Sequence, residues 1–315
     1  MTLLEVQDLN VHFPTGEGTV HASRNISFRL QPGEVLGLVG ETGSGKSVIG
    51  QAIIRLLPSS AQVSGHIYFS GQDLTGLSES SIHALRGCSI SLIPQNPSGA
   101  LNPVMMNGQQ IAEIFETQGT QRKTAVETSW ELLAAVGLVP AERIAREYPH
   151  QLSGGMRQRL TTSIAIARGS TKLIIADEPT KGLDYHARET TARLLREIST
   201  EKHAALLLIT HDLYLAEHIC DRIAVLYAGE IVEIGYAEQI FSKPIHPYTQ
   251  ALMKAIPKNG LVPLAGQSPS LMALPEGCAF MDRCERQTEK CHQEHPLMTQ
   301  ENIDGGVRCH HPYCA

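Results

Sequence analysis

Gly40-Glu41-Thr42-Gly43-Ser44-Gly45-Lys46-Ser47 decides how this chain is to be read. The run fits G-x-x-x-x-G-K-[ST]. It lies between EVLGLVG (34–40), an apolar strand-like stretch, and KSVIGQAIIRLL (46–57), whose apolar residues recur at helical spacing up to Pro58. Gly40, Gly43 and Gly45 let backbone N–H groups come close to a phosphate and wrap it, and the start of the helix adds its partial positive charge. Lys46 is then the point charge for β- and γ-phosphates, and the Ser47 hydroxyl a ligand for Mg²⁺. A chance glycine-rich turn would not come with both flanks in place. The motif points to nucleotide binding and says nothing yet of a family.

Working outward, LLEVQDLNVHF (3–13) and NISFRL (25–30) read as strands, and Pro32-Gly33 turns the chain into the strand before the loop. Further on, KLIIAD (172–177), AALLLIT (204–210) and IAVLYA (223–228) are strand-sized apolar runs, with RETTARLLREIS (188–199) a helix between the first two. Between Gln95 and Arg168 the pattern is mostly helical. Strands alternating with helices predict an α/β fold with a mainly parallel sheet covered on both faces. After Gly235 the character changes. Pro244, Pro247, Pro257, Pro263, Pro269 and Pro275 mark an irregular segment, so the domain boundary is expected at Gly235–Ala237.

Composition narrows the function classes. With 26 basic and 32 acidic side chains the net charge is -6, which does not suggest a nucleic-acid binder. No apolar run approaches the ~18 residues of a membrane helix. The N-terminal MTLLEVQDLNVHF carries Glu5 and Asp8 and no basic region, so a signal peptide is not expected. These features predict a soluble, cytoplasmic protein whose membrane role, if any, comes through partners. Of seven cysteines, five fall between Cys278 and Cys314. Such clustering in a reducing compartment points to metal rather than disulfides.

KLIIADEP would deliver Asp177 to the C-terminal edge of a buried strand, where ligands sit in open α/β sheets. Asp177 is the candidate Mg²⁺ holder, and Glu178 the group that orients or deprotonates an attacking water. Without the phosphate loop, Asp-Glu-Pro would merely end a strand. Leu152-Ser153-Gly154-Gly155-Met156 supplies a second feature. Ser153 is a good N-cap, and Gly154 and Gly155 bare the backbone amides at a helix start. That is a second anion-binding terminus in a chain with one phosphate loop.

Here the sequence resembles the ABC ATPase family, whose LSGGQ-like signature closes over ATP bound to the opposite subunit of a head-to-tail dimer. Met156 stands where Gln is commoner. The resemblance orders further residues. Gln95 matches the glutamine loop that contacts Mg²⁺ and water and senses the membrane partner. Leu183-Asp184 match the loop that couples two sites, and His211 the switch histidine at the γ-phosphate. Phe13 would be the platform for adenine. Taken singly, a Gln or a His at a strand end is structural more often than not; in order they make one match from Leu3 to Gly235. Lys181 and Gly182 depart from it, standing where small or hydroxyl residues are more usual. The implied fold is a RecA-like P-loop ABC ATPase core over 1–235, interrupted by an α-helical subdomain at about 95–168, with a small cysteine-rich C-terminal extension at 236–315.

Ile240-Phe241-Ser242-Lys243-Pro244, then His246-Pro247-Tyr248-Thr249-Gln250-Ala251-Leu252, look like the extension of oligopeptide, dipeptide and nickel importer ATPases; Gln95-Asn96-Pro97 and Leu101-Asn102-Pro103 look like the same branch. It implies ATP hydrolysis that powers uptake of peptides or a chelated metal such as nickel. Two membrane permeases, an extracytoplasmic binding protein and a second ATPase subunit, paralogue or second copy, would be partners. The chain would sit peripherally on the cytoplasmic face of the membrane. Two rivals compete: a non-transport ABC ATPase acting on DNA or ribosomes, and an ATP-sensing regulator. The short stretch from Ser47 to Ser153 has no sustained heptads, and there is one cassette only, which disfavours the first. The set Lys46, Gln95, Asp177, Glu178 and His211 disfavours the second.

Cys278, Cys284, Cys291 and Cys309 are spaced C-x₅-C-x₆-C-x₁₇-C. Four thiolates suit an iron–sulfur cluster or a tetrahedral zinc, and unligated thiols are the third reading. Similar tails in the importer branch look like [4Fe–4S] sites, and the close C-x₂₋₄-C pairs usual for zinc are missing. Cys314 is read as a bystander, and His310-His311 as solvated.

Overall fold

The apolar runs become strands because they bury every residue. In a computed structural model of the chain, which describes residues 2–256, 260, 262–302 and 305–314, two compact units form. One comprises residues 1–82 with 207–315, the other residues 83–206. Pro257 lies outside the described residues.

The first unit begins with β1 (Leu4–Thr15), β2 (Gly18–Leu30), β3 (Val35–Val39), β4 (Gln62–Phe69) and β5 (Gln72–Asp73). Four of these make a sheet in the order β2-β1-β4-β5, antiparallel throughout. In β1, Leu4 and Val6 are buried, then Leu9 and Val11, so the period of two slips by one residue. Asp8, with φ of 48°, supplies the irregularity that resets the face.

In the second unit β6 (Ile90–Ile93) and β7 (Leu173–Asp177) run parallel, Ile90 opposite Leu173 and Ile93 opposite Ala176. The rest of that unit is mostly helical, including Asn107–Glu116, Arg122–Ala135, Gly154–Ile166 and Tyr185–Lys202. Helix 122–135 shows why: Ala125, Ser129 and Leu133, four residues apart, form its buried stripe.

The chain returns through β8 (Ala205–Thr210), then β9 (Arg222–Tyr227), β10 (Glu230–Tyr236), β11 (Met298–Asn302) and β12 (Gly305–Arg308). Within the first unit the order is β11-β12-β10-β9-β3-β8. β3 is parallel to β9, while β10, β12 and β11 form an antiparallel edge. All residues of β3, β8 and β9 are buried, and each such Leu, Ile or Val contributes about 1.5–3 kcal/mol. The sheet is therefore more mixed than the sequence suggests, because strands from the cysteine-rich tail extend it: Glu233 pairs with Val307 and Ile234 with Gly306. Among the described residues no helix is long and apolar enough to cross a membrane.

Candidate active site

β3 ends at Val39, and the loop that follows is forced into shape by two glycines. Gly40 has φ of 152° and a Cβ there would lie 2.2 Å from the Leu226 carbonyl oxygen; Gly45 has φ of 96° and its Cβ would lie 2.0 Å from that of Ala22. No other residue type fits either position. Gly45 is also the N-cap of helix Lys46–Ile53, and having no side chain it makes no capping hydrogen bond there. Buried Lys46 curls back into the loop, its ammonium donating to the carbonyls of Gly40 and Glu41, both at 2.8 Å, and to Ser44 Oγ at 3.3 Å. Thr42 and Gly43 are exposed at the loop's tip; Ser47, half-buried, follows Lys46 into the helix. The Ala228-Gly229 turn of the β9–β10 hairpin braces the loop, Gly229 N–H donating to Ser44 O at 3.2 Å. Both its residues have positive φ, as a two-residue hairpin turn requires.

In the second unit β7 delivers Asp177 and Glu178, and both side chains stay buried. Glu178 has φ of 49°, in the left-handed region that few non-glycine residues adopt. Such strain persists only where surrounding structure holds it, and it gathers at functional positions. Because β6 and β7 are parallel, exposed Gln95, two residues past β6, lies at the same sheet end as this pair. Ser153 caps helix 154–166, its hydroxyl accepting from Met156 N–H at 3.3 Å. Ser153 and Gly154 are exposed, while a Cβ on Gly155 would touch Leu183 at 3.4 Å. Leu183 is buried, and Asp184 caps helix 185–202 by accepting from Ala187 N–H at 2.9 Å. The signature segment and the Leu183-Asp184 loop are thus neighbours.

His211 is exposed directly after Thr210, the last residue of β8. Phe13 is half-buried on the β1–β2 hairpin, opposite Val20. Sequence reasoning missed three side chains that hold Glu41: Tyr248, Ser268 and Arg283. No spacing rule reaches them, since they lie 207 to 242 residues from Glu41 along the chain.

Cys278, Cys284, Cys291 and Cys309 line one small pocket with His246, Phe280 and His310. Burial pushes the Cys278 thiol up to about 11 and raises those of Cys284 and Cys309. Cys278 N–H donates to Cys291 O at 2.8 Å, tying the first and third cysteines through the backbone. Among the described residues no three His, Cys, Asp or Glu side chains are placed to hold a single metal ion.

A profile of the family described as ABC transporter matches residues 23–181, half of the chain. The chain belongs to the ABC transporter family. A second profile, "Oligopeptide/dipeptide transporter, C-terminal region", matches residues 232–291 of this ABC ATPase and so takes in His246–Leu252 and three of the four clustered cysteines. Its relatives place it among the ATP-binding subunits of that branch. It is 41% identical over 306 residues to the oligopeptide transport ATP-binding protein OppD of Haemophilus influenzae, covering 95% of this chain and 94% of the relative. It is 40% identical over 316 residues to the dipeptide transport ATP-binding protein DppD of Bacillus subtilis, covering 98% and 94%. Among solved structures, the dimeric structure of MJ0796, a bacterial ABC transporter cassette, matches with a TM-score of 0.68 and 25% identity, covering 75% of this chain and 99% of that one.

Proposed function

We propose that this ABC ATPase powers the uptake of di- or oligopeptides, and that loop 40–47 holds the ATP it hydrolyses. The observation that carries this reading is the placement of Lys46: a buried ammonium gathered by the loop's own carbonyls at an uncapped helix N-terminus. Lys46 neutralises the β- and γ-phosphates, and loop amides from Gly40 to Ser47 orient them. Phe13 stacks on adenine, and His211 contacts the γ-phosphate. Glu178 orients and deprotonates the attacking water, with Gln95 assisting. Ser47, Asp177 and Gln95 each carry an oxygen donor of the kind Mg²⁺ takes, and the ion, when bound, would neutralise charge on the phosphates. Ser153, Gly154 and Gly155, with Asp184, serve the ATP of a second ATPase subunit. Residues 1–235 act as the nucleotide-binding domain with its helical part at about 95–168, and 236–315 as the extension.

Two permeases, an extracytoplasmic binding protein and a second ATPase complete the assembly, and they keep this subunit at the cytoplasmic face of the membrane. The relatives' names speak for peptides as cargo rather than nickel. Replacing Lys46 by Ala weakens ATP binding by about thirtyfold, the worth of a charged hydrogen bond to phosphate. Equilibrium dialysis with Mg²⁺-ATP checks this, and unchanged affinity overturns the loop assignment.

For the tail we propose a [4Fe–4S] cluster on Cys278, Cys284, Cys291 and Cys309. Four sulfur donors round one cavity are the right chemistry. The close C-x₂₋₄-C pairs usual for zinc are missing from this spacing, which favours the cluster over a single zinc. Anaerobic purification should give about four irons per chain, lost in Cys284→Ser. Protein with neither iron nor the visible absorption of a cluster sinks the assignment.

A further inference from the structure

Glu41, the second residue of the phosphate loop, is held by all three of its polar groups. Its carbonyl accepts from Lys46 Nζ at 2.8 Å. Its N–H donates to the Tyr248 hydroxyl at 3.1 Å. Its carboxylate takes a fork of two bonds from Arg283, both at 2.9 Å, and a third from Ser268 Oγ at 2.6 Å. Arg283 is spoken for in turn. Its side chain is 4% exposed, it also donates to Ala265 O at 2.8 Å and Tyr227 Oη at 3.2 Å, and it lies over the Tyr227 and Phe280 rings. Phe280 meets Tyr227 and Tyr248 edge-on, so β9, helix Pro247–Lys254 and the tail are locked at one point. From Ser268 the chain runs on to Leu271, whose carbonyl accepts from His21 N–H at 2.9 Å on the hairpin that carries Phe13.

A carboxylate beside a triphosphate site repels its ligand unless its charge is cancelled. A bidentate guanidinium cancels it and fixes its direction as well. Hydrogen bonds from Arg283 indeed hold the Glu41 carboxyl below its ordinary range. We infer that Arg283, with Tyr248 and Ser268, is a positioning element of the phosphate loop, by which the C-terminal extension sets the affinity of this ATPase for nucleotide. Arg283 touches no substrate; it acts through Glu41, whose carbonyl in turn fixes the Lys46 ammonium. Arg283 directly precedes Cys284, so whatever orders the four-cysteine cavity also orders the guanidinium. The inference rests on loop 40–47 being the ATP site.

The test is a double-mutant cycle on the full chain, read as the dissociation constant for Mg²⁺-ATP. Arg283→Gln leaves a part-buried carboxylate uncompensated and raises the constant about tenfold, while Arg283→Lys, which keeps the charge and loses the fork, raises it about threefold. In a Glu41→Gln background the further change Arg283→Gln shifts it by less than about twofold, because no carboxylate is left to unmask. Equal shifts in both backgrounds would mean that Arg283 acts by general loosening, and would overturn the inference. Should Arg283→Gln fail to fold, Tyr248→Phe serves. It keeps the packing but removes the acceptor for Glu41 N–H, and unchanged ATP affinity there overturns the inference equally. Lys46→Ala separates the two readings: if it loses ATP while Arg283→Gln does not, the clamp alone fails; if it binds ATP normally, the loop assignment fails first.

Discussion

Glu178→Gln should bind ATP as the parent does and hydrolyse it at least about a thousandfold more slowly, the upper range of what a positioned general base supplies. The exchange is isosteric, and the amide can occupy the same left-handed backbone at φ of 49° as the acid. Loss of turnover would therefore report chemistry, since the fold has no reason to change. The carboxylate is buried at the end of β7, a strand with no exposed residue, so little motion is available by which another group could replace it. With hydrolysis blocked, ATP should also hold two ATPase subunits together if, as proposed, the exposed Ser153 and Gly154 serve the nucleotide of a second ATPase subunit. Phosphate release under single-turnover conditions and size-exclusion chromatography with ATP measure the two effects. Hydrolysis at the parental rate would remove Glu178 from the base role.

Much of this architecture is legible in the sequence, for a physical reason. VLGLV, LIIAD, ALLLIT and RIAVLY are buried over their whole length, so nothing interrupts their apolar runs. The helix after the phosphate loop is less well read. Its apolar spacing runs to Leu57, yet it stops at Ile53. Arg55 adopts φ of 52°, and Leu56 N–H donates back to Gln51 O at 2.9 Å, a left-handed helix ending usually signalled by glycine. Here the guanidinium reaches the Leu77 carbonyl and the Glu79 carboxylate at 2.7 Å, and those distant partners hold a turn that residue 55 does not advertise.

The extension shows the same limit on a larger scale. His246-Pro247-Tyr248 falls in the segment that its prolines mark as irregular, yet a helix starts there: His246 Nδ1 accepts from Tyr248 N–H at 3.0 Å, with Pro247 in the first turn. Nothing local tells that the Tyr248 hydroxyl meets the loop at Glu41, or that Gly305–Arg308 pairs with β10. Prolines mark the segment as irregular; they do not say what it packs against. Motifs whose ligands are backbone atoms nearby in sequence are thus readable, while contacts closed by the fold are not.

Gly45→Ala should cost the loop its function and weaken the fold as well. The added methyl would stand 2.0 Å from the carbonyl oxygen of Ala22, a buried residue of β2, with the backbone at φ of 96°. Either the strand or the loop must shift, and Ala22, though it stands at the irregularity between the His21 and Ser23 pairings, is buried and has little room to give. We expect ATP affinity to fall by at least about a hundredfold and stability without nucleotide to fall by about 3 kcal/mol, the sum of backbone strain and a displaced carbonyl. Gly43→Ala is the comparison, since it shares a positive φ, 84°, but has no atom within 4 Å of the new methyl. That variant carries strain alone, about 1 kcal/mol. Denaturant titrations of the two proteins separate the effects. If Gly45→Ala proved no worse than Gly43→Ala, the close approach of β2 could not be what reserves position 45 for glycine, and the loop would have to owe its shape to the helix start instead.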